Sequence, residues 1–335
     1  SAFLSKFHNR TGSVMMFVPS GVNSAMITPF TKEGKVNEEV VRDWVEFLIN
    51  RGINGLFPVS SIGEFIHLSI EEAERLTAVV VEQAAGRVPV FPGVSAASTD
   101  IAVARAKAAE KLGCQAVVVM PPYYSPVSQG LVLKHYQKIA SAINIGVIIY
   151  NIPSTTTPVS TDTFKELIKI RNIVALKDSS GDMKQILHCI DLAEEAGRTD
   201  FAVMTGWDDL LYPALCVGAR GCVSGVSGIL PEIIVDIYRQ FQAGNKDEAL
   251  KLQRSILPVL RTMASLQFPA GYKLALESRG FATGPLRQPV DEVDKYHYIT
   301  IRKTLESQIA RLLGSGMLAG NGSRYVMVLV YFIYR

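Results

Sequence analysis

Cysteine is scarce in this chain, and what there is forms no motif. Cys114, Cys189, Cys216 and Cys222 each lie in an apolar segment without C-x-x-C spacing, which excludes a disulfide-framed secreted domain. They are expected to be buried free thiols in a reducing, cytoplasmic compartment. The five histidines (His8, His67, His135, His188, His297) are scattered and offer no ligand pair, so no metal is expected. Charge of one sign never accumulates. The 34 Lys and Arg against 31 Asp and Glu leave +3 and no basic stripe, which argues against a nucleic-acid partner. Residues 1–20 lack a basic-then-apolar leader pattern, and the apolar run 325–333 is too short to span a bilayer as a helix, so no membrane partner is expected. For that run a docked strand, a membrane-touching tail and an artefact of production stay open. The glycosylation-type triplets at Asn9 and Asn321 carry no weight in a cytoplasmic protein.

What is present is apolar matter in short, regularly spaced runs. Hydrophobic residues make up 48% of 335, enough for a substantial core in one large domain or a domain with an appendage. Runs rich in Val and Ile fall at 23–28, 55–59, 88–91, 116–120, 146–150, 173–177, 201–204 and 221–224. Most do not alternate polar with apolar, as expected of strands covered on both faces in a parallel sheet. Between them lie amphipathic stretches with helix caps. Ser69-Ile-Glu-Glu72 is a capping box opening a helix that ends near Gly86. Helices over 99–112 and 182–196 stop at Gly113 and Gly197, and Val41, Trp44, Val45 and Leu48 share one helical face.

Eight strand-helix units in about 210 residues predict an α/β fold, a (β/α)8 TIM barrel with a C-terminal helical appendage. A doubly wound open sheet is the alternative, but no G-x-G-x-x-G follows the first run. After Pro231 the pattern turns helical over 231–242, 246–264, 268–279 and 291–313. The organisation reads as an N-terminal extension (1–20), the barrel (21–243), a helical region (244–313) and a tail of unknown role (314–335).

Chemistry in such a barrel sits where strands end and loops begin. The sixth run ends in Lys177, followed by Asp178-Ser-Ser-Gly-Asp182. An ammonium closing an apolar strand is costly unless it is paired, whereas a neutral amine there could form an imine with a carbonyl. A rim ion pair with Asp178 or Asp182 explains the residue equally well. The fifth run ends in Tyr150, and adjacent barrel strands end side by side, so its phenol could shuttle protons over Lys177. After the second run comes Ser60-Ser61-Ile62-Gly63-Glu64, whose backbone amides could converge on a carboxylate, with Ser61 adding a hydroxyl. The fourth run leads into Pro122-Tyr123-Tyr124.

Together these motifs, in this order and on these strands, closely resemble the dihydrodipicolinate synthase / N-acetylneuraminate lyase family over roughly residues 21–313. The resemblance implies that Lys177 forms the imine with pyruvate or another 2-oxo acid and that Tyr150 is the acid and base. It implies that Ser61, with the Ser61 and Ile62 amides beside Ser60, holds the carboxylate. It also implies that Tyr124 serves a neighbouring subunit's site in a homodimer or homotetramer. No cofactor is implied, and the partner is a small-molecule 2-oxo acid substrate.

The departures narrow the substrate. Ser60 stands for the family's first motif glycine, and Ile62 for its second hydroxyl or amide residue. Thr155 stands where dihydrodipicolinate synthases carry an arginine for a second carboxylate, which argues against that substrate. Gly206-Trp207-Asp208-Asp209 resembles the segment with which sugar-acid aldolases bind hydroxyls, although the two acids could simply cap the next helix. Ser179 stands for a substrate-contacting threonine, and Val223 on the last strand is counted with the substrate residues. Gly225 falls where a sialic acid lyase usually has serine. The expected activity is therefore a class I retro-aldol lyase acting on a 2-oxo-3-deoxy sugar acid. Rivals are N-acetylneuraminate lyase, 4-hydroxy-2-oxoglutarate aldolase, dihydrodipicolinate synthase, a dehydratase or deaminase using the same imine, and a 2-oxo acid binding barrel without turnover.

Overall fold

The strands leave no face for water, whether built from Val and Ile, as over 116–119 and 146–149, or from Gly, Asn, Ser and Ala, as over most of 21–25. A computed structural model describes residues 16–290 and 292–314. Its strands are β1 (Gly21–Ala25), β2 (Gly55–Phe57), β3 (Ala116–Val119), β4 (Gly146–Asn151), β5 (Ile173–Asp178), β6 (Ala202–Thr205) and β7 (Gly221–Ser224). Every residue in them is buried. They pair in parallel in the order β2-β1-β7-β6-β5-β4-β3.

The ring closes between β2 and β3 through residues 89–94, where the sequence pattern predicts a full strand at 88–91. The segment forms only isolated bridges, Val90 to Leu56 and Gly93 to Val118. Pro89 and Pro92 have no N–H to give, so the ladder cannot run continuously. Their carbonyls still accept from Leu56 and Val118 at 3.0 and 2.9 Å, and the Phe91 and Val94 amides donate to Leu56 and Val118. The result is the expected (β/α)8 barrel, its third strand reduced to bridges.

The outer layer is α1 (Glu38–Asn50), α2 (Ile70–Ala84), α3 (Thr99–Lys111), α4 (Gln129–Ala142), α5 (Thr161–Leu167), α6 (Met183–Glu195), α7 (Leu211–Cys216) and α8 (Pro231–Gln242). Local chemistry sets their ends. The Ser69–Glu72 capping box opens α2, and Ala85 closes it in the left-handed region. The buried face of α1 is Val41, Trp44, Val45 and Leu48, and the Trp44 indole N–H donates to the Gly228 carbonyl at 2.8 Å.

Four helices follow: α9 (Lys246–Ser255), α10 (Leu257–Ala264), α11 (Ala270–Glu277) and α12 (Glu292–Gly314). The single helix expected over 246–264 is broken at Ile256, because Pro258 sits in the first turn of α10 and cannot continue α9. The expectation of uniformly buried thiols also needs correction. Cys216 is exposed, since it ends α7 on the side away from buried Leu211, Ala214 and Leu215. Part of the expected N-terminal extension belongs to the barrel: Phe17 stacks on Phe91 with ring centroids 6.0 Å apart. The expectations for residues 1–15 and 315–335 lie outside the described residues. Among the described residues no helix is long and apolar enough to cross a membrane.

Candidate active site

Register alone sets the first two groups side by side. Tyr150 on β4 is the parallel partner of Lys177 on β5, and both are 4% exposed. The Lys177 Nζ lies 3.9 Å from the Tyr150 ring centroid and 5.1 Å from that of Phe57. Two aromatic faces stabilise a desolvated cation without supplying a counter-charge.

The carboxylates that could have paired with Lys177 are committed elsewhere. Asp178 accepts from the Asn151 amide at 2.7 Å and from the Ser180 N–H at 3.0 Å. Asp182 caps α6 by accepting from the Lys184 and Gln185 amides. Among the described residues Lys177 forms no ion pair, so the rim salt bridge is excluded.

The Tyr150 hydroxyl lies 3.4 Å from Ser61 Oγ. Burial pushes this phenol up, but the Lys177 charge and hydrogen bonding with Ser61, Ser179 and Lys177 outweigh it. Its pKa ends below the ordinary value. A phenol that gives up its proton more readily suits proton transfer at a bond being made or broken.

The loop after β2 is held in an unusual conformation. Val59 and Glu64, on either side of Ser60–Gly63, have φ of +56° and +57°. Such values are costly for residues carrying a Cβ, and most of all for a β-branched valine. Ser60 is spent on the turn: its hydroxyl donates to the Met26 carbonyl at 2.8 Å and accepts from the Gly63 N–H at 3.2 Å. Gly63 is required, because a Cβ there would lie 2.7 Å from the Met26 oxygen. The Ser61 and Ile62 amides donate to no described residue, which leaves two adjacent N–H groups for an anion.

The exit of β6 supplies space and one buried acid. A Cβ on Gly206 would lie 2.0 Å from Ser179 Oγ and 2.9 Å from Lys177 Cε. Trp207 donates its indole N–H to the Ser179 carbonyl at 2.9 Å. Asp208 is buried and Asp209 is exposed. The Asp208 carboxylate caps no helix; it accepts from the Ser224 hydroxyl and, at 3.2 Å, from the Val226 N–H. Burial raises its pKa to about 6, opposed by those two donors and by the Lys177 charge.

The remaining expected residues scatter. Val223 is packed within the barrel on β7. Thr155 is exposed on the turn after β4, its hydroxyl 3.5 Å from the Ile152 carbonyl. Tyr124 is 96% exposed with φ of +80°.

Sequence reasoning missed Tyr272 on α11. A Cβ on Gly225 would lie 3.0 Å from Tyr272 Cε1 and 3.2 Å from Ile62 Cδ1, so these two side chains flank Gly225 at the mouth. Burial pushes the Tyr272 phenol up, and the Asp208, Asp209 and Tyr150 charges add to this. The one trace in the sequence is a Tyr-Lys pair inside a helix that is otherwise apolar up to its last residue, Glu277. Also missed were Ser224, which holds Asp208, and Gln253, whose amide donates to the Asp208 carbonyl at 3.0 Å.

Fold and site together define a class, the (β/α)8-barrel carbon–carbon lyases of the pyruvate-dependent, class I aldolase type. The particular family follows from comparison. The model of the Dihydrodipicolinate synthetase family matches residues 18–308, and the chain belongs to that family. Similar proteins include the 4-hydroxy-tetrahydrodipicolinate synthase of Syntrophobacter fumaroxidans, 36% identical over 86% of this chain and 98% of that one. That of Methanosphaerula palustris is 34% identical over 82% and 94%. Among solved structures, dihydrodipicolinate synthase from Thermotoga maritima superposes with a TM-score of 0.81 at 29% identity, covering 91% of this chain and all of that one. YagE, a prophage protein of the same family from E. coli K12 solved with pyruvate, gives 0.79 at 25% identity over 86% and 98%.

Proposed function

We propose that this enzyme cleaves, or forms, a 2-oxo-3-deoxy sugar acid through an imine on Lys177. The observation that carries the reading is a buried lysine without a carboxylate partner among the described residues, in register with a tyrosine of lowered pKa. Lys177 Nζ adds to the C2 carbonyl and water leaves, giving an iminium. Tyr150 takes the proton of the C4 hydroxyl; the C3–C4 bond breaks, its electrons pass into the iminium, and an aldehyde departs. The enamine is protonated at C3, and water hydrolyses the imine to release pyruvate and the free amine. Ser61, with the Ser61 and Ile62 amides, holds the carboxylate. Asp208 accepts from a substrate hydroxyl, which favours a polyol chain over a second carboxylate. The scheme uses no metal or organic cofactor.

A second reading is the reaction named in the relatives, 4-hydroxy-tetrahydrodipicolinate synthesis. The absence of a guanidinium at exposed Thr155 weighs against it. We also propose a homodimer or homotetramer, since strained, solvent-facing Tyr124 is a side chain that a second copy could cover.

The test is treatment with pyruvate and borohydride followed by mass spectrometry. An adduct on Lys177 supports the imine, and its absence from folded protein sinks it. Pyruvate release from a panel of 2-oxo-3-deoxy sugar acids, run beside the synthase assay, then decides between the substrates.

A further inference from the structure

Glu64 ends the loop that carries the Ser61 and Ile62 amides, and its carboxylate is turned into the protein. It is 3% exposed, as is Lys273 on α11. Lys273 Nζ lies 2.8 Å from Glu64 Oε1, an ion pair rather than an aligned hydrogen bond. The Arg287 N–H donates to the other oxygen, Oε2, at 2.8 Å. Lys273 also donates to the Pro285 carbonyl at 2.8 Å and lies over the Phe30 ring, 4.5 Å from its centroid. The Arg287 guanidinium lies over the same ring at 4.2 Å and pairs with Glu72 on α2 at 2.6 Å.

A buried ion pair is weak as a source of stability, because desolvation offsets most of the attraction, and its better-attested use is to select one arrangement. What it joins here is specific. Two residues before Glu64 is Ile62, and next to Lys273 is Tyr272; these are the two side chains that flank Gly225 at the mouth. The pair is buried on both sides, and it crosses from the barrel to the C-terminal helices.

We propose that the Glu64–Lys273 pair is a positioning device that sets the anion-holding loop and α11 in register, so that the Ser61 and Ile62 amides and the Tyr272 ring meet the 2-oxo acid together. Neither residue touches reacting atoms. The proposal rests on the reading that this loop holds the substrate carboxylate.

The test uses the full chain with Glu64→Gln and Lys273→Met combined, which removes both charges and leaves neither buried alone. Two quantities are measured. One is the pyruvate concentration that half-saturates borohydride trapping on Lys177; the other is amide hydrogen exchange in residues 60–67 and 270–277. The expected result is at least a tenfold rise in half-saturating pyruvate with an unchanged plateau. Exchange should also accelerate at least tenfold in both segments, with β4 and β5 unaffected. Wild-type values for both quantities in the folded double variant would overturn the proposal, as would loosening of one segment without the other. If the double variant does not fold, Glu64→Asp keeps the charge and shortens the reach by one methylene. The same two changes are expected of it, and their absence overturns the proposal. If even the wild type is not trapped, the imine reading fails separately, and the paired exchange rates still decide whether Glu64 and Lys273 couple the two segments.

Discussion

Asp208 shows how much one residue can be shaped by its surroundings. Its carboxyl is buried, has the Ser224 hydroxyl and Val226 N–H as its donors among the described residues, and has its pKa raised to about 6 from 3.8. A shift of that size corresponds to roughly 3 kcal/mol. Because the folded pKa is raised, the native state keeps a proton that the unfolded chain releases between about pH 4 and 6. This group's contribution therefore falls as pH rises through that window and stays low above it. Asp208→Asn removes the charge and keeps an oxygen to accept from the same donors. We expect the variant to melt near wild type at pH 4 and to gain on it by pH 8. A stability difference independent of pH, read from paired urea or thermal melts, would refute this. Turnover of a sugar acid by the variant should fall at both pH values.

At the scale of elements, the site is made by strand exits rather than by any one loop. β4 delivers Tyr150, β5 delivers Lys177 and Ser179, and β6 delivers the glycine that leaves them room. A methyl group on Gly206 would overlap Ser179 Oγ and press on Lys177 Cε. Gly206→Ala should therefore fold, since its N–H can still donate to the Asp178 carbonyl. It should lose on the order of 10²-fold in pyruvate trapping, the scale expected when reacting groups are displaced by about 1 Å. Single-turnover trapping rates, with circular dichroism as the control for folding, check this. Of the four non-glycine residues with positive φ among the described residues, Val59, Glu64 and Tyr124 lie on the loops at this end of the barrel, and the fourth is the helix cap Ala85.

For the whole molecule, the C-terminal helical appendage packs back onto the open end of the barrel. α11 brings Tyr272 to the mouth and Lys273 to Glu64, while Arg287 just beyond it reaches Glu72, the His67 carbonyl and the Gly34 carbonyl. Truncation after residue 264 would remove the Lys273 cation and the Arg287 N–H that hold Glu64, together with the buried apolar residues Ala270, Leu274, Ala275, Leu276, Leu305 and Ile309. We expect such a chain to show no cooperative thermal transition. A soluble truncate with a sharp melt and wild-type pyruvate trapping would contradict the dependence.

The sequence by itself determined the barrel and the facing pair at its heart. Two-sided burial favours apolar runs such as 116–119 and 146–149, and a parallel ladder puts the ends of neighbouring runs together, so the pattern alone sets Tyr150 beside Lys177. Cap chemistry is equally local, and Ser69 opens α2 where the pattern says it should. Only the tertiary structure decided what depends on distant segments meeting. It reduced the third strand to bridges, because Pro89 and Pro92 withhold donors while their carbonyls and neighbouring amides still find partners. It committed Asp178 and Asp182 elsewhere and so left Lys177 without a carboxylate partner among the described residues, a result that turns on which donors each carboxylate reaches. It joined Glu64 to Lys273 across more than 200 residues. No periodicity records such a contact, since its energy lies in the desolvation of two charges that become neighbours only when the chain is folded.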